Sequence, residues 1–456
     1  MKLVVCLALA LTTAAPAFGG IFSVRDYGAK GDRRTNDRAA IQSAIDACVS
    51  TGGGVVRFPA GAYLSGQLNL GSGVTLQLDR GATLCASRSA KDYSGGRHDG
   101  ALLMAEKAVG IAVKGQGIID GQANGDYGKR WGVPNEPEFR TNLISFRNCR
   151  RVSISDVAFH NSDSWTIVLT RCDHVVIQGV TIRNNYRRLN SDGIDPDSCT
   201  DVRINRCDIL TGDDSIVLKT GRDFPCSDVE VTDCTLESAT CALKLGTGSY
   251  GDYRSIRFAD CRIKNSPVGV GLYMKDGATM DGITADHITM QMSSPDTHDV
   301  VPLFIDIEKR DPDSRIGTVR NVTFSNIAIA GGSGLLLQGM PESPIQNLVL
   351  RNIAFHVTTP DDYQKRKKPI GGTRTNKDER DTLYARKPTY GAVAYVKGLT
   401  VENFQVAIAA PDLQRFPRSA LAGFHIDGGT IAGVTRTVGH SPPVELNDCS
   451  GVTVAR

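Results

Sequence analysis

Val202 to Leu236 reads VRINRCDILTGDDSIVLKTGRDFPCSDVEVTDCTL, a short strand pattern that returns as a second copy of itself 27 residues on. The pattern is apolar-x-apolar-x-x-apolar-x-apolar, VRINRCDI from Val202 and VEVTDCTL from Val229. Period-2 alternation marks a short strand with one buried face. Outward from this pair the pattern continues upstream as VVIQGVTI from Val175, VSISDVAF from Val152 and, more weakly, IAVKGQGIID from Ile111. Downstream it continues as IRFADCRI from Ile256, ITADHITM from Ile283, VTFSNIAI from Val322, LVLRNIAF from Leu348, LTVENFQV from Leu399 and FHIDGGTI from Phe424.

From Val152 the spacings are 23, 27, 27, 27, 27, 39, 26, 51 and 25 residues. Strands recurring at this period, with Gly, Asn and Asp at the bends, predict an all-β chain wound as a right-handed parallel β-helix, each coil stacked on its neighbour. A β-propeller needs longer, four-stranded blades, and helical repeats need 3.6-periodic stretches that no copy contains. The two long spacings read as insertions. The larger, Asp361 to Tyr390, carries Lys365-Arg366-Lys367-Lys368 and reads as a solvated loop. Ahead of the repeats, Ala40, Ile41, Ala44, Ile45 and Cys48 fall at helical spacing behind Asp37, which predicts a capped helix covering the open first coil.

Residues 1–17 combine Lys2, an apolar run from Leu3 and Ala15-Pro16-Ala17, the layout of a secretory signal peptide, so residues 18–456 are expected to form one exported β-helical domain. No later segment is apolar for long enough to span a bilayer. A formal charge of +3 argues against a nucleic-acid partner. Export permits disulfides, but the cysteines follow the repeat: Cys149, Cys172, Cys199 and Cys226 each precede a V-x-I type pair, and Cys207, Cys234 and Cys261 recur every 27 residues. Stacked core thiols are expected rather than a disulfide ladder, and no C-x-x-C pair suggests zinc.

A further strand per coil aligns WTIVLT, DGIDPD, DSIVLK, CALKLG and VGLYMK from Trp165, Asp192, Asp214, Cys241 and Val270. Ile167, Ile194, Ile216, Leu243 and Leu272 then face the core, with Leu169, Pro196, Leu218, Leu245 and Met274. Asp195, Lys244 and Tyr273 face outward in one column, and Asp197, Lys219 and Lys275 in another. Asp192 and Asp214 stack on adjacent coils about 4.8 Å apart, with Asp213 beside them if the chain bends there. Acids packed so closely raise at least one pKa and share a proton. Three readings fit the cluster: acid-base catalysis of the glycoside-hydrolysis type, an Asx-rich turn, or a calcium site. The outward lysines suit an acidic polysaccharide, or else neutralise the aspartates.

Asn190-Ser191-Asp192-Gly193-Ile194-Asp195 followed by Gly212-Asp213-Asp214 resembles the N-x-D and D-D motifs of glycoside hydrolase family 28, the polygalacturonase-like pectin hydrolases. The likeness extends over VRDYGAKGD, AIQSAIDAC, GGGVVRFPAGAYLSG and the NSDSW at Asn161 to Trp165. It implies a secreted, cofactor-free, metal-free, monomeric enzyme that hydrolyses an acidic plant cell-wall polysaccharide with inversion. Asp213 would be the general acid, Asp192 and Asp214 would hold the attacking water, and Asn190 would orient or contact the sugar. Asp195, Lys219, Lys244, Tyr273 and Lys275 are expected to bind substrate. Inversion places acid and base roughly 6.5–9.5 Å apart, so Asp213 is expected across a cleft from the other two.

Two positions depart from the family pattern. Cys241 stands where Gly-His-Gly has its histidine, and Tyr273-Met274-Lys275 stands for Arg-Ile-Lys. A phenol does not replace a forked guanidinium, which favours a rhamnose-containing or substituted galacturonan over plain polygalacturonate. The alternatives are a β-helical polysaccharide lyase and a non-catalytic carbohydrate-binding solenoid.

Overall fold

The bend inside each strand pair is where the coil turns. In the computed structural model, which describes residues 19–94, 100–129, 132–133, 139–294, 300–332, 334–358, 389–408, 418–437 and 442–455, the middle residue of nearly every copy has positive φ. Asp156, Arg206, Asp233, Asp260, His287, Asn326, Asn352 and Asn403 all lie between 50° and 60°. This left-handed region is costly for most side chains and least so for Gly, Asn and Asp, which is why those residues recur there. Their stacking repays part of the cost. Asn352 Nδ2 donates to Asn326 Oδ1 at 2.9 Å and Asn403 Nδ2 to Asn352 Oδ1 at 3.0 Å, a side-chain amide ladder along the coil axis.

Between bends, 35 strands pair in parallel on three faces. The first face stacks Val152, Val175, Val202, Val229, Ile256, Ile283, Val322, Leu348 and Leu399 in register. A second, shorter face stacks Phe159, Ile182, Ile209, Leu236, Ile263 and Met290. The third face carries the aspartates. All three fill one continuous core. At the N-terminal end the helix α1, Arg38–Ser50, buries Ile41, Ala44, Ile45 and Cys48. It covers the strands Gly20–Ser23 and Gly54–Phe58, shielding apolar surface that a β-helix otherwise exposes at its end.

Three expectations are corrected. Asp37 precedes the helix but does not cap it: its carboxylate accepts the backbone N–H groups of Lys30 and Gly31, at 2.7 and 2.9 Å. The last repeat starts later than expected, because Leu399 pairs with Gly429 and Phe424 pairs with Ala394 on the third face. The strand Ser419–Arg436 runs through two faces, and its own alternation hides the corner. On the third face, the strand Val268–Met274 is displaced by two residues from the expected alignment. Leu243 pairs with Val270 and Lys244 with Gly271, so Tyr273 is not level with Lys244. A two-residue slip keeps every core residue in the core, and alternation cannot detect it. The expected signal peptide, residues 1–17, and residues 361–388 of the insertion lie outside the described residues.

The cysteines behave as core thiols. Among the described residues eleven are free, and of these only Cys449 is not fully buried. Cys172 Sγ donates to Phe146 O at 3.4 Å, and Cys199 Sγ accepts the Cys172 N–H at 3.3 Å, so the column runs along the helix axis as a small apolar filler. Thiol titration in denaturant without reductant is expected to count these eleven, whereas the native protein labels quickly at Cys449 alone; a count lower by pairs would mean disulfides.

Candidate active site

The acids sit where the chain enters the third face. Asp192 precedes the strand Ile194–Asp197, and Asp213 and Asp214 precede Ile216–Thr220. The Asp192 and Asp214 carbonyls accept the Thr166 and Gly193 N–H groups, so both residues already follow the inter-coil ladder. The residues before Ile216 are bent rather than extended, and this turns Asp213 and Asp214 to the same side. Gly212 makes the bend possible: a Cβ there would lie 2.2 Å from Arg188 O and 2.4 Å from Asn185 O.

One hydroxyl ties the vicinal pair together. Thr240 Oγ1 lies 3.0 Å from Asp213 Oδ1 and 2.7 Å from Asp214 Oδ1. The second Asp213 oxygen accepts the Asn190 N–H at 2.9 Å. Thr240 was not singled out from the sequence, where it is one threonine in a turn; its position in the coil after Asp213 is the signal that was there to use. Asn190 contacts Asp213 through its backbone, in a left-handed conformation. Its side-chain oxygen accepts Arg140 Nη1 at 3.3 Å. Arg140, almost fully buried, also donates to Asp163 O and Leu189 O at 2.8 and 2.6 Å. Asp163, within NSDSW, has no exposed surface and pairs with Arg188 and with Arg88 at 2.5 Å. This ionic base holds the Asn190 loop; the residues come from distant coils, so sequence alone did not join them.

The lysines answer the aspartates one coil below. Lys219 Nζ contacts Asp195 Oδ1 closely and Asp192 Oδ2 at 3.3 Å, and lies 3.8 Å from the Trp165 ring centroid. Lys244 Nζ donates to Asp214 Oδ2 at 2.7 Å. Lys275 is buried against Glu308. The expected outward basic row is therefore corrected: all three ammonium groups are engaged by carboxylates, and Lys275 does not reach the surface. Asp195 is likewise fully buried beneath Lys219 rather than presented to solvent. Asp197 accepts Ser198 Oγ and the Gly221 N–H. Tyr273 still reaches Lys244, with 4.9 Å from ammonium to ring centroid, because Gly271 leaves room: a Cβ there would lie 2.6 Å from the Tyr273 ring. Cys241 takes the coil position next to Asp214, and its thiol is buried.

Burial dominates the charge balance. It pushes the Asp192 carboxyl well above the ordinary range despite Lys219, with Asp195, Asp213 and Asp214 adding repulsion. Burial raises Asp195 to about 6 against the pull of Lys219, and the Asp192 carboxyl is within hydrogen-bonding reach of it. Burial and Asp214 also raise Asp213, opposed by Lys244 and by the Asn190 and Thr240 hydrogen bonds. Asp192, Asp213 and Asp214 each bring an oxygen within 4.8 Å of the others. That is tighter than the expected separation of acid from base, and it is a spacing that a cation could bridge. The donor set fits a cation poorly, because Lys219, Lys244 and Thr240 already occupy oxygens of all three, and a divalent ion would have to displace an ammonium group.

Comparison with known proteins follows the same line as the geometry, which is that of a parallel β-helix with an acidic cluster on one face. Residues 48–356 match Glycosyl hydrolases family 28. The chain belongs to this family. A probable polygalacturonase of Vitis vinifera is 33% identical over 220 residues, 44% of this chain and 44% of the relative. An exo-poly-alpha-D-galacturonosidase of Dickeya chrysanthemi is 28% identical over 266 residues, 46% of this chain and 44% of the relative. The chain thus spans about half the length of the curated relatives it matches. Among solved structures, an exopolygalacturonase of Thermotoga maritima superposes with a TM-score of 0.65 at 23% identity, covering 74% of this chain and 87% of that one, a likeness of fold.

A carboxyl that binds its proton more tightly folded than unfolded adds stability that is complete below the unfolded pKa, near 3.8, and is lost as pH rises through the folded pKa, here about 6 for Asp195. Asp195→Asn is therefore expected to flatten the pH dependence of stability between pH 3 and pH 7, on top of a loss at both values because Lys219 loses a buried carboxylate partner. Denaturant midpoints at the two pH values check this, and an equal shift at both would contradict it.

Proposed function

We propose that this chain is an exported glycoside hydrolase that cuts an acidic pectic polysaccharide by inverting, single-displacement chemistry. The observation that carries this reading is the pairing of the three acids: Asp192 and Asp214 each have a lysine on Oδ2, whereas Asp213 is held only by the Asn190 N–H and the Thr240 hydroxyl and makes no ion pair among the described residues. Asp214, compensated by Lys244, is suited to take a proton from water, and Asp192, which burial holds above the ordinary range despite Lys219, is suited to help position that water. A half-buried carboxyl with neutral donors, raised by burial and by Asp214, is suited to give one.

On this reading Asp213 protonates the glycosidic oxygen as the C–O bond breaks. Asp192 and Asp214 hold the water and Asp214 accepts its proton as it attacks the opposite face of the anomeric carbon; with the acid oxygens within 4.8 Å of one another, inversion rests on the family resemblance and not on carboxylate separation. Asn190 and Thr240 keep the acid in place. Membership in family 28 and the polygalacturonase names of the relatives support the pectic substrate. Residues 1–17 support export, since their sequence is that of a signal peptide. The engaged lysines and the phenol of Tyr273 favour a substrate whose scissile bond does not join two unsubstituted galacturonates.

Asp213→Asn is expected to lower kcat by about 10³-fold or more with the fold intact by circular dichroism. Hydrolysis is read as new reducing ends on a panel of pectic polysaccharides, and inversion as the first-formed anomer by proton NMR. Unsaturated, ultraviolet-absorbing products would instead make it a lyase, and saturable glycan binding without new ends would make it a binding solenoid. Thr240→Val removes the bridging hydroxyl and is expected to cost about 10- to 100-fold in kcat/KM. It should also move the alkaline limb of the pH profile to higher pH, because the acid loses a donor that favours its ionised form; a rise in KM alone would argue against this role.

A further inference from the structure

The three lysines of the third face are spent on aspartates and glutamate, so a uronate carboxylate needs another cation. We propose that the turns leaving the third face form a subsite for one uronate-bearing pyranose of an acidic polysaccharide, with Arg222 as the carboxylate partner and Tyr250 as the platform for the ring. The proposal rests on the hydrolase reading for the identity of the polysaccharide, and on this chain's own side chains for the site.

Strands Ile167–Thr170 and Ile194–Asp197 each pass to the next strand through two residues. The following link, Gly221 to Pro225 in TGRDFPC, is longer, and it carries Arg222 and Phe224 out from the surface. Arg222 follows Lys219 by three residues, so the two Cα atoms lie within about 11 Å. The link therefore leaves the end of the strand that carries Lys219, the edge of the third face opposite the acids. Phe224 reaches back along the helix to Arg171, whose guanidinium is 3.9 Å from the ring centroid. Arg222 reaches forward to Tyr250 at 5.3 Å. Both rings keep a large part of their surface in water, 40% for Phe224 and 37% for Tyr250. Exposed aromatics of this size are uncommon on this molecule.

Neither Arg171 nor Arg222 makes an ion pair among the described residues. Arg310, close by, is instead bound through two nitrogens to Asp276, at 2.7 and 2.8 Å. A recess of about 540 Å³ opens beside Arg222 and Tyr250, with Arg315, Ser314, the exposed Asp223, Asp311 and Asp313, and the Arg310-bound Asp276 on its walls. These acids decide the ligand class. A polyphosphate or nucleic acid, with dense negative charge, is repelled by three carboxylates. A neutral glycan gains nothing from the guanidinium. An acidic pyranose uses every group: its C–H face lies on an aromatic ring, its carboxylate takes the fork of Arg222, and its hydroxyls donate to the aspartates.

The test uses the full-length protein carrying Asp213→Asn, which binds without turnover, titrated calorimetrically with an oligogalacturonate and with the same oligomer methyl-esterified. Adding Arg222→Ala is expected to weaken binding of the acidic oligomer about tenfold or more and that of the ester much less, while Tyr250→Ala weakens both. In the otherwise unmodified enzyme, Arg222→Ala should raise KM for the acidic chain, with the loss confined to KM. Equal affinity with and without Arg222, an equal loss for acid and ester, or no binding of the acidic oligomer at all would overturn the subsite. Arginine-dependent binding by a protein that cleaves no pectic chain would leave the subsite standing and remove the hydrolase reading.

Discussion

In-register stacking of parallel coils is the constraint on which the rest of this molecule depends. Strand neighbours lie about 4.8 Å apart, so any residue type repeated at the coil period becomes a column. Where the column is apolar it makes a core; where it is asparagine at the bend it makes an amide ladder. Where it is acidic the same spacing forces carboxylates together, and a folded chain has to compensate them within one coil. Like charges at this distance, away from water, otherwise cost several kcal/mol.

The compensation climbs the helix one coil at a time. Lys219 covers Asp192 and Asp195 from the coil above, and Lys244 covers Asp214 from the next. Asp213 falls outside this staircase, because it sits one residue ahead of the strand and meets Asn190 and Thr240 instead. The arrangement separates two kinds of acid using only register and one bend. Carboxylates inside the ladder stay paired with cations; the one at its entrance is left with neutral donors. Gly212 and the ionic base of Arg140, Asp163 and Arg188 matter because they hold that entrance in place.

The fold was legible because period and alternation are local: the coil length, the bend residues, the core columns and the thiol columns all stand in the sequence as regular spacings. The acid cluster was legible for the same reason, since Asp192 and Asp214 occupy equivalent places in adjacent copies. What was hidden depended on even-numbered displacement or on distant partners. The two-residue slip of Val268–Met274 preserves inside and outside, so nothing in the pattern reported it. Lys244, Lys219 and Lys275 looked like a free basic row because alternation gives the direction of a side chain and not what it meets. Thr240, Arg140 and Arg188 were missed because their partners lie a coil or more away.

On the proposed reading, chemistry and recognition occupy opposite edges of the same face. The acids cluster at the turns entering it, where the bend before Ile216 can present Asp213. The unpaired guanidinium groups and exposed rings gather at the turns leaving it, where the Gly221–Pro225 link is free to lengthen without disturbing the strands on either side. A stacked strand tolerates little change in length, whereas a turn on the surface tolerates much. The position of the family's missing arginine lies inside a strand, at Tyr273, whose ring already packs over Gly271 and against Lys244. The Tyr273 ring shares that space with the lysine that compensates Asp214. A cation for the substrate has to come from a turn, and the longer exit turn is the place in this face where one can be added without breaking register.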